Sequence, residues 1–219
     1  ADASDAGPSF KNHLRLIRKR DRDADRKFWA NELANIDAPT LLTEPDTSPG
    51  LATESCSTRL SIDDAQGLVT TAKRLKTTVA TLLSVGWALC LRRLTGRDDV
   101  TFGTVVSGRD PRVPGIDRAV GSYAGIVPNC FKIDPEASAL DLISIAPRSA
   151  VRRSEFEATP LAEILRSASL DGMPFDTLLS VMNFPTSTDE GAVRVSHVKV
   201  DNFSTMPLAL VAEVGDEIV

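Results

Sequence analysis

Apolar side chains recur at helical spacing through residues 10–36. Phe10, Leu14 and Ile17 fall on one face, and Trp29, Leu33 and Ile36 on another. Residues 18–27 between them hold almost no apolar side chain, which predicts a solvated stretch or a break between two helices. Ser61, with Asp64 three positions on, opens a further helix running to about Lys73 through a capping box. From Thr77 or Thr78 to Leu94 the pattern thickens. Leu83, Trp87, Leu91 and Leu94 form one stripe, and Leu82, Val85 and Leu89 nearly close the cylinder. A helix apolar on most sides is a buried helix. Arg92 and Arg93 suit the negative end of its dipole, and Gly96 supplies its C-terminal stop.

Beyond Gly96 the period shortens. Val100–Val106 reads as a strand with little polar alternation, hence buried on both faces. Glu54–Leu60 reads as an earlier strand, and Ala124–Ile133 as an extended segment interrupted by Pro128. Residues 37–53, with Pro39, Pro45, Pro49 and Gly50, form a linker. Gly115–Ala119 predicts a helical turn. Ala139–Glu155 predicts a helix kinked or split by Pro147, and Pro160 starts a short helix through Leu165. Thr177–Phe184, Ala192–Val200 and Leu208–Val214 read as strands, the last followed by a tight turn toward Ile218. Earlier strands joined through helices, with later strands pairing antiparallel, give an α/β two-layer sandwich: a mixed sheet with helices on one face.

Composition narrows the function classes. The 219 residues are 42% hydrophobic and 25% charged, which suits a folded core. The net charge of −5 argues against general nucleic-acid binding, and no apolar run is long enough for a membrane span. Lys11 to Lys27 departs from this balance with eight basic and three acidic side chains, as a solvated helix face or a dock for an acidic partner. Cys56, Cys90 and Cys130 are far apart and form no C-x-x-C pair, so they read as buried free thiols rather than zinc ligands or disulfides. No metal site and no tightly bound cofactor is expected, and a cytoplasmic setting follows from the thiols. Residues 1–9 read as a cut end or linker before one domain over 10–219.

Only His13 and His197 are present, and each reads as a structural histidine, so no catalytic base is expected in this chain. Ser107-Gly108-Arg109-Asp110 follows a buried strand, where open α/β sheets place ligands; the same four residues also make an ordinary tight turn. Gly121 and Gly125 flank the single tyrosine, Tyr123, and allow close backbone approach to a ligand or plain loop freedom. Asn183, at the end of an apolar strand, either places an amide in a cleft or caps the strand.

The order of these segments resembles the second half of a nonribosomal peptide synthetase condensation domain, with a fungal flavour. Thr78–Leu94, Thr95–Gly103, Val106–Arg109, Gly115–Asp117 and Val120-Gly121 carry the resemblance. Phe28-Trp29 with Leu33, Thr159–Leu161, Phe175–Leu179 and Asn183 extend it. The resemblance implies one chloramphenicol-acetyltransferase-like half of a V-shaped domain, incomplete at its C-terminus. Between two such halves runs a tunnel into which carrier proteins bring thioesters on phosphopantetheine arms. The parent would form an amide or ester. Its partners would be the N-terminal half of the same domain, peptidyl or acyl carrier proteins and a neighbouring adenylation domain. The family's histidine motif, H-H-x-x-x-D-G, is not in this sequence. Ser107, Gly108, Arg109, Gly121, Tyr123 and Asn183 are the positions expected beside the tunnel and the pantetheine arms. Where the family carries Asn, Thr and Arg, this chain has Gly125, Ile126 and Cys130. That leaves open a catalytically inactive docking or structural module, and an epimerisation or coenzyme A-dependent acyltransferase relative.

Overall fold

A computed structural model describes residues 10–34, 36–43, 54–110, 113–182, 206–214 and 218–219. Two helices lead, α1 (Phe10–Arg18) and α2 (Arg22–Leu33), separated at the polar stretch the sequence predicts. Asp21 caps α2 by accepting from the Asp23 and Ala24 N–H groups. Next come α3 (Ile62–Arg74) and α4 (Val79–Thr95), capped by the Ser61 and Thr78 hydroxyls. Gly96, at φ +70°, ends α4 in the left-handed region, where a side chain would be strained. Then follow β1 (Asp99–Val106), a 3-10 turn at Ile116–Arg118, and β2 (Gly125–Lys132). The last elements are α5 (Ala139–Ser154), α6 (Leu161–Ser167), β3 (Thr177–Met182) and β4 (Leu208–Glu213).

The strands form one mixed sheet in the order β2-β1-β3-β4. β2 runs antiparallel to β1, whereas β3 runs parallel to both β1 and β4. This reverses the expected pairing: the early pair is antiparallel and the late pair parallel. Among the described residues only loop and one short turn join β1 to β2, so the chain doubles back, whereas residues 183–207 are long enough for a crossover. In this register Val100, Phe102, Val106, Val127 and Leu179 share one face. That face carries both large core clusters. One is built with Val85, Ala88 and Leu91 of α4 and Leu142 of α5, the other with Trp29 and Leu33 of α2 and Ile164 of α6. The α/β layering with helices over one sheet face is therefore as the sequence implies.

Several expectations are corrected. Glu54–Leu60 is not a strand: residues 54–59 are exposed and polar, with no face to bury, and the Leu60 N–H makes a single bond to the Ile218 carbonyl. Helix α5 runs through Pro147 without a split. Pro128 sits within β2, opposite Gly103, because an edge strand tolerates a residue without an N–H. Helix α4 buries Leu82, Val85, Ala88 and Leu91, while Leu94 is exposed. Cys56 and Cys90 are exposed and free, one in the irregular segment and the other on the outer side of α4; Cys130 is half-buried. The Ala192–Val200 strand, His197 and residues 1–9 lie outside the described residues. Among the described residues no helix is long and apolar enough to cross a membrane.

Candidate functional site

The end of β1 leads directly into the candidate turn. Gly108 adopts φ +61°, and a Cβ there would overlap the Tyr123 carbonyl, so the turn and the Gly121–Tyr123 segment touch backbone to backbone. Ser107 is exposed, and its hydroxyl accepts the Arg109 N–H at 3.3 Å. Arg109 folds back over its own loop. Its Nη1 donates to the Ile116 and Ala119 carbonyls, the latter at 2.7 Å, and its guanidinium lies 4.5 Å from the centre of the Tyr123 ring. A cation over an aromatic face and two carbonyls fix the arginine in one place. Ser107, Gly108, Arg109, Gly121 and Tyr123, taken from two loops, thus stand together. Asn183 lies outside the described residues.

Tyr123 is 7% exposed, and its hydroxyl has no hydrogen-bond partner among the described residues. Around it pack Ile116, Ala119 and, from α1, Phe10. Phe10 meets the ring edge-on at 5.2 Å, and His13 at 4.5 Å. His13 is itself buried. Burial, and then the Arg109 charge, hold its pKa below the ordinary imidazole value, against a smaller opposite pull from Asp110. The sequence pattern pairs Phe10 with Leu14 and Ile17. The helix instead buries His13, beside half-buried Phe10 one turn away, and leaves Leu14 exposed. A histidine three positions after an aromatic residue was the available signal.

A second feature lies along the free edge of β2. An open groove of about 610 Å³ runs between Phe28 and Glu32 of α2, Thr101, Cys130 and Lys132 of the sheet, and Arg152 and Phe156 around the end of α5. Arg152 reaches across it to Glu32 at 3.7 Å. Beside it Arg153, 6% exposed, donates from Nη1 to Asn129 Oδ1 at 2.8 Å. Burial works against the Arg153 charge and raises the Glu157 carboxyl, and each of the two steadies the other's charged form. Burial pushes the Cys130 thiol up to about 11, although a hydrogen bond with Thr101 pulls the other way. Cys130, where the resemblance leads one to expect an arginine, is therefore an uncharged thiol at neutral pH.

A third set of contacts ties the chain before α3 to the sheet. Thr40 Oγ1 accepts the Thr101 N–H at 2.9 Å, and the Thr40 N–H bonds to the Pro174 carbonyl. Asp176 Oδ2 accepts from the Leu42 and Thr43 N–H groups and the Thr43 hydroxyl. Phe175 lies against Gly103 of β1 so closely that a Cβ there would come within 2.7 Å of its ring. These residues build the scaffold under the resemblance segment Phe175–Leu179.

Residues 8–211 match the model of the condensation domain family. Nonribosomal peptide synthetase ungA' of Aspergillus campestris is 30% identical over 184 residues, which cover 83% of this chain and 2% of the synthetase. Surfactin synthase subunit 2 of Bacillus subtilis is 27% identical over 187 residues, covering 84% of this chain and 5% of that protein. Among solved structures, the first condensation domain of the CDA synthetase superposes with a TM-score of 0.70 at 20% identity, over 83% of this chain and 40% of that one. The X-domain from teicoplanin biosynthesis gives a TM-score of 0.72 at 18% identity, over 92% of this chain and 48% of that one. This chain spans only a few per cent of its curated relatives and less than half of these structures. With the family match covering nearly the whole chain, the protein belongs to the condensation-domain family of nonribosomal peptide synthetases.

Proposed function

We propose that this chain is the C-terminal subdomain of a condensation domain and forms one wall of its substrate tunnel. Two carrier proteins bring thioesters to that tunnel on phosphopantetheine arms. The acceptor amine attacks the donor thioester carbonyl: a C–N bond forms, the C–S bond breaks, and the pantetheine thiol leaves with a proton. An upstream half supplies the histidine that manages that proton, and a neighbouring adenylation domain supplies the activated amino acid. The role of this chain is positioning, which removes much of the entropic cost of bringing two tethered reactants together.

The observation that carries this reading is the fixed cluster past β1. Gly108 gives the Tyr123 backbone room, Arg109 is pinned by two carbonyls and a ring, and Gly121 lies against Phe10 and Tyr123. Such a cluster presents exposed Ser107 from a rigid base. The test joins this chain to its upstream half and measures amide formation from two carrier-loaded aminoacyl thioesters, with Arg109→Ala beside it. The expected result is product formation that falls in the variant. A reconstituted domain that binds neither a carrier protein nor a pantetheine thioester refutes the reading.

A second reading rests on Cys130. With a neutral thiol in place of the family's Arg, the strand presents no cation at that position. The parent is then a catalytically inactive module that docks carrier proteins. Carrier binding without product, even when the upstream histidine pair is intact, is the outcome that selects it.

A further inference from the structure

Helix α1 does more than open the domain. It crosses to a loop more than a hundred residues away and covers the ring that Arg109 caps. Phe10 and His13 stack on each other at 5.9 Å, and both meet the Tyr123 ring edge-on. Phe10 also lies where a Cβ on Gly121 would come within 2.7 Å of its ring. Three rings and one guanidinium therefore lock α1, the Gly121–Tyr123 segment and the Ser107–Arg109 turn into one body. The rest of α1 is poorly suited to hold itself there: Lys11, Leu14, Arg15, Leu16 and Arg18 are all exposed, and Ile17 is half-buried. Its attachment to this site falls on Phe10 and His13.

We propose that His13 is a positioning residue, which by packing edge-on against Tyr123 clamps α1 over the Ser107–Arg109 turn and holds that turn in its working place. The inference rests on the tunnel-wall reading above. His13 acts through Tyr123 and Arg109 and touches no reacting atom. A neutral imidazole suits this role, because a protonated one would set a second cation beside the Arg109 guanidinium, on the same tyrosine. Among the described residues the charged groups facing His13 are Arg109 and Asp110 from the turn, and α1 itself carries no acidic side chain to steady a proton. Among the described residues, Tyr123 is the other titratable group against it. The lowered pKa keeps the clamp closed near neutral pH and opens it as pH falls below the ordinary imidazole range.

The experiment compares wild type, His13→Ala and His13→Phe in the full-length protein. Hydrogen exchange is followed in the peptides covering 10–18, 107–110 and 121–123. Condensation kinetics with carrier-loaded acceptor are measured from about pH 5.5 to about pH 8. His13→Ala is expected to raise exchange in all three peptides by about tenfold and to raise KM more than it lowers kcat. His13→Phe, an aromatic that never charges, is expected to rescue both and to lack the acid-side increase in exchange expected of wild type. Exchange in 107–110 and 121–123 that ignores His13→Ala overturns the clamp, whatever the kinetics. Exchange that responds while neither His13→Ala nor Arg109→Ala changes the kinetics overturns the tunnel-wall reading beneath it. A wild-type acid limb kept unchanged by His13→Phe also overturns the proposal.

Discussion

Asp176 offers the sharpest energetic test of the fold. One carboxylate oxygen accepts three donors from the chain that passes over the sheet: Leu42 N–H at 2.8 Å, Thr43 N–H at 2.9 Å and Thr43 Oγ1 at 2.9 Å. Asp176 is 7% exposed. Asp176→Ala leaves two backbone donors without their acceptor, and each hydrogen bond to a charged group contributes about 1.5–3 kcal/mol. Water reaches donors in this half-buried strap, so we take the low end: about 3 kcal/mol for the two N–H groups, with the hydroxyl re-solvated. For a domain of this length that is a fall in Tm of about 6–12 °C. Asp176→Asn keeps an acceptor of the same size without the charge and should lose about half as much. Thr43→Val removes only the hydroxyl bond and should cost about 1 kcal/mol. Thermal and urea unfolding of the four proteins reads the series directly. A shift below about 2 °C for Asp176→Ala, or equal shifts for Ala and Asn, would refute the claim that the charged acceptor holds the strap.

Gly108→Ala places a Cβ on the Tyr123 carbonyl at φ +61° and should cost about 2–3 kcal/mol, read by unfolding, with condensation by the reconstituted domain falling alongside. Phe102→Ala empties a fully buried site between β1 and α4 and should cost about 3–5 kcal/mol by urea unfolding. Exposed Cys56 and Cys90 should alkylate promptly at neutral pH, whereas Cys130 should stay unlabelled until pH approaches its raised pKa of about 11, as mass spectrometry of labelled peptides would show. Because burial favours the neutral thiol, the stability Cys130 contributes is whole below the ordinary thiol range and is lost as pH climbs toward about 11.

What was legible in the sequence follows what each feature depends on. Helix α4, its Thr78 cap and its Gly96 stop depend on local spacing and on backbone freedom, and both are written in consecutive residues. The turn at Gly108 is legible for the same reason. Pairing direction is not local. β1 and β2 turn back on each other across a loop that carries no hairpin signal, and the parallel partners of β3 are set by how the chain packs, not by the strand itself. Residues 54–59 are polar and exposed, and a segment with no apolar face to bury builds no ladder. The family resemblance rests on the order of many weak motifs, so it survives such local errors.

The site divides along the same line. Ser107, Gly108 and Arg109 stand out in the sequence because they follow a strand, and Gly121 and Tyr123 because two glycines flank a lone aromatic. Their meeting was not visible, since it depends on a Gly108 with no Cβ lying under a carbonyl fifteen positions later. His13 was read as structural because no neighbour in sequence could orient it as a base. The structure buries the ring on aromatic surface and lowers its pKa, with no acidic side chain beside it on α1. A histidine kept neutral by burial and a facing arginine is poorly placed to take a substrate proton, but it can pack as an aromatic ring and be expelled when charged. The imidazole, packed edge-on against Tyr123 and stacked with Phe10, is thus suited to holding the turn.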